Sequence, residues 1–536
     1  MLAVGVKHNR KRMTEHGVDQ ESTVVVETNL LDRAEPTALR QRLARRHQTR
    51  WVEGGTVADR RRHQGANFRG AGAVKPCGRV NKANGDGTGE LTPVFAYRLG
   101  RAMATYLECE TFAVGRDIRE SSPAMTSELM RGLVDGGVKV LDLGIVSTGC
   151  VYHACWTLPV DGGVMVTASH LPMPTHNGFK MCRGTLPLAG EEIQELKDVF
   201  LAGDFREGKG EIVDTPHLDT YLDAILESTG PIARPVKVAV DCGNAVPGPA
   251  MTALLDRMGC EHIDLYCDWD ASEPNHGADP TRPKNMVDLG KAVVENGCEF
   301  GLGADGDGDR IGAVDELGNF VYPDRLIALL ADDVVGTEEG KDLLIYDVKC
   351  SMNVEKAIVT AGGRPMMAKT GHSFMKRVLA EHSDALMAAE MSGHIFMADR
   401  GWYGFDCSLY NAARLIELWS RTEGKFFSQE LTRLAPNLPT TGEVKIPCPE
   451  DKKLETVEAI KNAFSDFESS TIDGVRVRFT SGQSTEQSGW YLARKSNTEA
   501  ILVMRVEAVD DAELKALLRM IHERVSPIID ISKLTA

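Results

Sequence analysis

Residues 305–310 read Asp-Gly-Asp-Gly-Asp-Arg, three carboxylates alternating with glycine between two runs of strand-like composition. Two carboxylates held about 5 Å apart repel by about 3 kcal/mol at an effective dielectric near 20. Crowding three of them requires protonation or a cation, and an all-oxygen ligand set selects a hard ion such as Mg²⁺. The glycines let the backbone turn tightly enough for Asp305, Asp307 and Asp309 to converge on one ion. Magnesium-assisted phosphate chemistry is the expectation. Acids at 305, 307, 309 and 316 also fit an EF-hand ligand list, but Arg310 stands where that loop needs glycine. The flanking stretches, Cys298-Glu-Phe-Gly-Leu-Gly and Ile311-Gly-Ala-Val, are short and glycine-broken, unlike paired amphipathic helices.

Three other segments carry reactive or polar groups in loops. Thr167-Ala-Ser169-His170-Leu-Pro follows the strand-like Gly163-Val-Met-Val, at a strand end where α/β folds place functional loops. Neighbouring side chains on a strand end point apart, so His170 need not be the base for Ser169. Asn177-Gly-Phe-Lys180 returns a lysine toward the same edge. Glu390-Met-Ser392-Gly-His394 presents an acceptor, a hydroxyl and an imidazole at alternating positions, a composition suited to a hexose. Lys349 and Thr370-Gly-His372-Ser add cationic and polar groups nearby in sequence. Arg494-Lys-Ser496-Asn497-Thr498 offers a guanidinium, hydroxyls, an amide and backbone N–H groups, a set that grips phosphate through charge-assisted hydrogen bonds.

The elements that must hold these loops repeat. Thr111-Phe-Ala-Val-Gly, Val236-Lys-Val-Ala-Val-Asp and Leu343-Leu-Ile-Tyr-Asp-Val each open a unit. In each, a strand leads to a helix ending on glycine near Leu133-Val-Asp-Gly, Met258-Gly or Ala361-Gly, a C-cap pattern. Strands alternating with helices predict α/β layers with right-handed crossovers. The last hundred residues differ. Gly474-Val-Arg-Val-Arg-Phe alternates like a half-exposed strand, Trp490-Tyr-Leu-Ala-Arg and Ile501-Leu-Val-Met-Arg-Val read as two more, and a helix runs from Asp510 to about Val525. The expected fold is therefore three tandem similar α/β domains and a smaller C-terminal α+β domain. The expected boundaries are 1–66 for a basic tail or transit segment and 67–215 for the Ser169 loop domain. The aspartate loop then falls in 216–325, the Glu390 loop in 326–435 and the Arg494 loop in 436–536.

Composition narrows the partners. A chain of 536 residues is too long for one core, and its 42% hydrophobic and 26% charged residues are ordinary for a globular protein. A net charge of −16 argues against nucleic acid or an anionic membrane surface, and no apolar run approaches the span of a bilayer. Twelve cysteines without Cys-x-x-Cys or Cys/His spacing point to free thiols in a reducing compartment such as the cytoplasm. The arginine-rich first 66 residues admit two readings, a disordered tail or a segment for import into a plastid or other organelle.

Taken together, the four loops resemble those of the α-D-phosphohexomutases, in the phosphomannomutase/phosphoglucomutase group. That family carries a Thr-Ala-Ser-His phosphoserine loop, an Asp-Gly-Asp-Gly-Asp-Arg metal loop, a Glu-Met-Ser-Gly-His sugar loop and an Arg-x-Ser-Asn-Thr phosphate loop. All four stand here in the family's order between residues 167 and 498, with Gly115-Arg-Asp, Gly243-Asn, Pro274-Asn-His and Thr370-Gly-His-Ser-Phe. The resemblance implies four domains around a central cleft and an interconversion of hexose 1-phosphate and hexose 6-phosphate, of glucose or mannose. It further implies a phosphoserine at Ser169 and a hexose 1,6-bisphosphate intermediate that also serves as activator. One Mg²⁺ per chain would be held by Asp305, Asp307, Asp309 and a Ser169 oxygen, with Arg310 neutralising transferring charge. Lys180, His170 and His394 are the candidates for moving a hydroxyl proton. Glu390 and Ser392 would hold sugar hydroxyls, with Lys349 and His372 also facing the substrate. Arg494, Ser496, Asn497 and Thr498 would hold the phosphate that does not react. The partner is thus a small sugar phosphate, and the chain is expected as a monomer or weak homodimer.

The chain departs from the family pattern in places. The usual opening Phe-Arg-x-Tyr-Asp-Ile-Arg-Gly corresponds to Phe68-Arg-Gly-Ala-Gly-Ala-Val-Lys75, without the second arginine, which leaves Lys75 or another residue to replace it. Leu171 stands where the family has asparagine, and Ala500 where it has proline. Met391 resembles the glucose and mannose enzymes, whereas glucosamine-phosphate mutases usually carry glutamine there. Glucosamine phosphate is the alternative substrate, and a catalytically weak sugar-phosphate-binding relative is the alternative class.

Overall fold

A computed structural model of the chain describes residues 79–80, 91–480, 486–496 and 499–535. The basic tail, the stretch 68–75, and Asn497 and Thr498 of the Arg494 loop lie outside the described residues. The multi-domain α/β architecture expected from the sequence is the one observed, and three of its sheets share one plan. In the first, β1 (Thr111–Arg116) lies between the parallel strands β2 (Lys139–Ile145) and β3 (Gly162–Val166), and β4 (Asn177–Arg183) runs antiparallel beside β3. In the second, β5 (Lys237–Asp241) lies between parallel β6 (Glu261–Leu265) and β7 (Phe300–Ala304), with antiparallel β8 (Ile311–Asp315) beside β7. In the third, β9 (Leu343–Asp347) lies between parallel β10 (Arg364–Ala368) and β11 (Ala385–Ala389), with antiparallel β12 (Ile395–Met397) beside β11. Short strands at 79–80, 186–187, 211–214 and 320–321 extend the first two sheets.

The composition explains the parallel pairing. β7, β9 and β11 are buried along their whole length, as strands covered on both faces must be, and their sequences are continuous apolar or small runs. In every unit the link from the third strand to the antiparallel fourth is the segment that carries the polar loop. Ser169 lies between β3 and β4, the aspartates between β7 and β8, and Glu390 to His394 between β11 and β12. All three loops leave the carboxyl end of a parallel strand, where open α/β sheets bind ligands.

The fourth sheet is antiparallel. β13 (Val475–Thr480), β14 (Gln487–Lys495) and β15 (Ile501–Ala508) form its middle, with strands at 444–447 and 469–470 on its edges. Helices Lys453–Ala463 and Asp511–Val525 cover one face and close a separate core around Val477, Tyr491, Met504 and Ile521. The other face departs from the sequence expectation. β13 is not half-exposed on its arginine side, because Trp490 and Leu492 pack on Val348 of the third unit. Arg476 is buried there with its guanidinium 3.9 Å from the Trp490 ring centre. It donates to the carbonyls of Val348 and Cys350 at 2.7 and 3.0 Å. An alternating pattern marks one apolar face; it does not say that the other meets water.

The first three units are not sealed from one another. One apolar cluster runs from Tyr152 on helix Thr148–Thr157 through Val240 and Leu302 of the second sheet to Leu344, Trp402 and Trp419 of the third unit. Among the described residues, no helix is long and apolar enough to cross a membrane. Inside the shared cluster, His153 Nδ1 lies 2.9 Å from His217 Nε2, and its ring stacks near Trp402. Burial, then the neighbouring His217, push the His153 pKa down to about 3.

A histidine whose folded pKa lies below its unfolded value favours the unfolded chain once protonated. Stability is therefore untouched above pH ~6.5 and falls by up to about 1.4 kcal/mol per pH unit below it for this group. Urea unfolding midpoints should decline between pH 7 and pH 5, and His153→Gln should flatten that decline. An unchanged slope in the variant would locate the acid sensitivity elsewhere.

Candidate active site

Ser169 sits in the left-handed region at φ +54°. That conformation costs a non-glycine residue about 1 kcal/mol and needs neighbours that over-determine it. They are present. Arg119, fully buried, donates to the carbonyls of Ser169, Leu171 and His176 at 2.6, 2.9 and 3.1 Å, and its Nε is held by Asp117 at 2.7 Å. The Ser169 N–H donates to Thr167 Oγ1 at 3.1 Å. The result corrects one expectation from sequence. Ser169 and His170 do not point apart: Oγ lies 3.2 Å from His170 Nδ1, because the left-handed turn brings adjacent side chains together.

Ser169 Oγ also donates to Asp305 Oδ2 at 3.0 Å, joining the first unit to the aspartate loop. Asp305, Asp307 and Asp309 are all fully buried and present ligand oxygens within 4.8 Å of one another. The loop is gripped from three sides. Asp305 Oδ1 accepts the backbone N–H groups of Asp309 and Arg310 at 2.9 and 3.1 Å. Thr148 donates its hydroxyl to Asp307 Oδ2 at 2.5 Å and its N–H to the Asp307 carbonyl at 2.9 Å. Ser408 of the third unit donates both N–H and hydroxyl to the Gly308 carbonyl at 2.9 Å. Lys180, from β4, places its ammonium 2.5 Å from Asp307 and in contact with Asp309.

These charges shape one another. Burial, with Asp309 and Asp307 beside it, pushes Asp305 well above the ordinary carboxylate range. Burial alone would raise Asp309 too, but Lys180 and His394 hold it well below that range. Burial would lower the Lys180 pKa, and Asp307 and Asp309 override it upward. Arg310 is buried with Nε 3.7 Å from Asp305. Asp307 Oδ1 and Asp309 Oδ1 have no hydrogen-bond partner. Unpaired buried carboxylate oxygens in an all-oxygen cluster fit a hard divalent cation.

The residues of the Glu390 loop come to the same place. Glu390 accepts the Gly371 N–H at 2.5 Å, and its Oε2 lies 3.0 Å from His394 Nδ1. Ser392 Oγ is 2.9 Å from His394 Nδ1 and 3.4 Å from Glu390. The far nitrogen of His394 lies 3.4 Å from Asp309 Oδ1, an ion-pair contact without hydrogen-bond geometry. Burial would lower the His394 pKa, but Asp309 dominates and raises it to about 9. His372 stacks on His394 with ring centres 5.4 Å apart, and burial beside Lys376 keeps its pKa well below the usual value.

Lys349 and Arg494 lie along the seam between the third unit and the fourth domain. Lys349 Nζ contacts Glu443 at 2.9 Å and Asp347 at 3.9 Å. Arg494 Nε donates to Asp473 at 2.9 Å, and the same Asp473 oxygen accepts the Thr370 N–H at 3.2 Å. Ser496 donates its N–H to Ile501 and accepts the Glu499 N–H at 3.1 Å. Sequence reasoning did not single out Arg119, Thr148, Glu443 or Asp473. Only Arg119 had a signal, its place two residues beyond the Gly115-Arg-Asp117 segment.

Four family models match the chain in order. They are described as phosphoglucomutase/phosphomannomutase alpha/beta/alpha domain I over residues 80–207, domain II over 219–318, domain III over 322–438 and the C-terminal domain over 443–524. A phosphomannomutase/phosphoglucomutase of Pseudomonas aeruginosa is 39% identical over 443 residues, covering 82% of this chain and 93% of the relative. The chain belongs to the phosphoglucomutase/phosphomannomutase family. The family recognised in the four loops is thus the family found. A phosphoglucomutase of Neisseria gonorrhoeae is 39% identical over 452 residues, covering 82% of this chain and 94% of its own. Among solved structures, a phosphoglucomutase/phosphomannomutase family protein from Burkholderia thailandensis superposes with a TM-score of 0.77 at 34% identity, covering 85% of this chain and 98% of that one.

Gly306 marks how closely two of these loops meet. A Cβ at Gly306 would lie 2.4 Å from the Ser169 carbonyl oxygen, so a side chain there must push the serine loop away. Misplacing a reacting group by about 1 Å costs roughly 100-fold in rate. Gly306→Ala should lower kcat by that order, and the thermal midpoint should fall too, because the displaced loop is the one Arg119 fastens. Full activity in the variant would show that the loops are not held in register by this contact.

Proposed function

We propose that this phosphohexomutase interconverts the 1-phosphates and 6-phosphates of glucose and mannose through a phosphoryl group carried on Ser169. The observation that carries this reading is the placement of Ser169 Oγ 3.0 Å from Asp305 within the buried aspartate cluster. Asp305, Asp307 and Asp309, with a Ser169 oxygen, would hold one Mg²⁺, which when bound supplies electrostatic stabilisation to a transferring phosphoryl group.

The chain's own residues account for the remaining tasks. Lys180 and Arg310 bring fixed positive charge to the carboxylates and to phosphate oxygens at Ser169. The phosphorus–oxygen bond to Ser169 Oγ breaks as a bond forms to the free hydroxyl of the sugar phosphate. The proton of that hydroxyl passes to a base. Of the three candidates read from the sequence, His170 and His394 remain, because Asp307 and Asp309 hold Lys180 as an ammonium. The resulting hexose 1,6-bisphosphate turns over and returns its other phosphate to Ser169. Glu390 and Ser392 bind hydroxyls in both orientations, with His372 and Lys349 beside them. Arg494 and Ser496, with Asn497 and Thr498, take the phosphate that does not react. Added bisphosphate would activate the enzyme by priming Ser169. Every group in this scheme comes from one chain, so a monomer suffices.

Ser169→Ala should lower turnover by roughly 10⁴-fold or more while leaving the fold intact, since no other nucleophile can replace the carrier. Intact-mass analysis of the purified protein should find one phosphate, on the Ser169 peptide. Normal activity in the alanine variant would sink the phosphoenzyme. Chelation of divalent cations should stop turnover and Mg²⁺ should restore it. A coupled assay with the 1-phosphates of glucose, mannose and glucosamine, with and without bisphosphate, ranks the substrates. Failure with all three would favour a sugar-phosphate-binding role.

A further inference from the structure

Asp406 lies behind the two stacked histidines and has no part in the scheme above. It is fully buried, and its backbone forms an isolated antiparallel bridge with Phe396, two residues after His394. One carboxylate oxygen accepts from Lys376 Nζ at 2.6 Å. Lys376 stands one helical turn beyond His372, is itself buried, and lies 3.8 Å over the ring of Tyr152 from the first unit. A buried lysine held by one carboxylate and one aromatic face has little freedom. It pins Asp406 in turn.

The other oxygen of Asp406 faces the imidazoles. It lies 3.8 Å from His372 Nδ1 and 3.9 Å from His394 Nε2. None of these three atoms has a hydrogen-bond partner, and neither does Asp309 Oδ1, 3.4 Å from His394 Nε2. Four unpaired buried polar atoms, two acceptors and two ring nitrogens, therefore converge from two sides on the stacked rings. Unpaired buried polar groups are rare in folded proteins, and a convergent set points to a function that completes them. On its opposite edge, His394 is fixed by Glu390 and Ser392. An imidazole fixed at one edge, with a carboxylate facing its other nitrogen, has its ring plane set and that nitrogen aimed in one direction, as carboxylates aim histidines in metal and triad sites.

We propose that Asp406, anchored by Lys376, is a positioning residue that sets the orientation of His394 and His372 toward the reacting hydroxyl. The proposal rests on the phosphoserine reading, which supplies the reacting centre, but concerns the step after Ser169 has been loaded. Its carboxylate need not touch the sugar phosphate. It acts on transfer, not on binding.

The test is Asp406→Asn, which preserves shape and removes the charge facing the rings. Because that variant strands the Lys376 charge, the double variant Asp406→Asn/Lys376→Gln removes both partners together. Each is purified, its Ser169 phosphate measured by intact mass, and its thermal midpoint, kcat and KM determined with glucose 1-phosphate. The expected result is a kcat lowered about 10- to 100-fold, the range seen when a carboxylate that orients a histidine is removed. KM should stay within roughly twofold, the signature of an interaction realised only in the transition state. Phosphate loading should match the wild type in both variants, and the thermal midpoint should do so in the double variant, while the single variant loses stability through its stranded lysine. An unchanged kcat in the soluble double variant, or a fall in kcat accompanied by an equal rise in KM, would overturn the proposal. Loss of Ser169 phosphate in the wild-type protein would instead overturn the phosphoserine reading.

Discussion

Three carboxylates buried together with no exposed surface dominate this molecule. Like charges at such range repel by several kcal/mol in a protein interior, and removal from water adds to the cost. Everything around the 305–309 loop is arranged to offset that. Lys180 comes from the first unit, Arg310 from the loop itself, and His394 from the third unit, each bringing a cationic or proton-bearing group to the same carboxylates. The offset is incomplete, since two of the carboxylate oxygens have no partner. Attraction left over at a buried anionic cluster is what a divalent cation can use.

The fold supplies this cluster by repeating one device. The same strand order occurs three times, and each time the turn into the antiparallel fourth strand carries the polar loop. Superimposed chemistry is thereby divided among equivalent places: a hydroxyl in the first unit, carboxylates in the second, a carboxylate and an imidazole in the third. Hydrogen bonds then link these places into one chain. Arg494 reaches Asp473, which reaches Thr370; the next residue, Gly371, reaches Glu390, and Glu390 reaches His394 beside Asp309. The fourth domain is thereby joined to the aspartate cluster by a continuous run of polar contacts.

Much of this was legible in the linear sequence, for reasons that differ by element. The aspartate loop announces itself because alternating glycine and carboxylate is costly without a ligand. The repeated sheets announce themselves because strands buried on both faces must be continuously apolar. What could not be read depends on contacts distant in sequence. Nothing about Ser169 reveals its left-handed backbone, which Arg119 enforces from fifty residues away. The arginines of β13 alternate with valines as on an open face, yet Arg476 is covered by the third unit. Asp406 and Lys376 are ordinary residues in their own segments and acquire meaning only where a loop and a helix cross. The Gly-x-Asp-like motifs were read as chemistry; the residues that aim the chemistry carry no motif.

The way the cores are divided decides which parts of the molecule are joined most firmly. Helix Thr148–Thr157 and the second and third sheets share one continuous oily interior, and parting them would expose large apolar area at about 25 cal/mol per Å². The fourth domain has an interior of its own and meets the third unit through buried arginines bonded to backbone carbonyls and through the small apolar contact of Trp490 and Leu492 with Val348. The hydrogen bonds of that seam can be exchanged for bonds to water at little net loss. Of the two kinds of joint, the seam to the C-terminal domain is the one with less apolar surface to part.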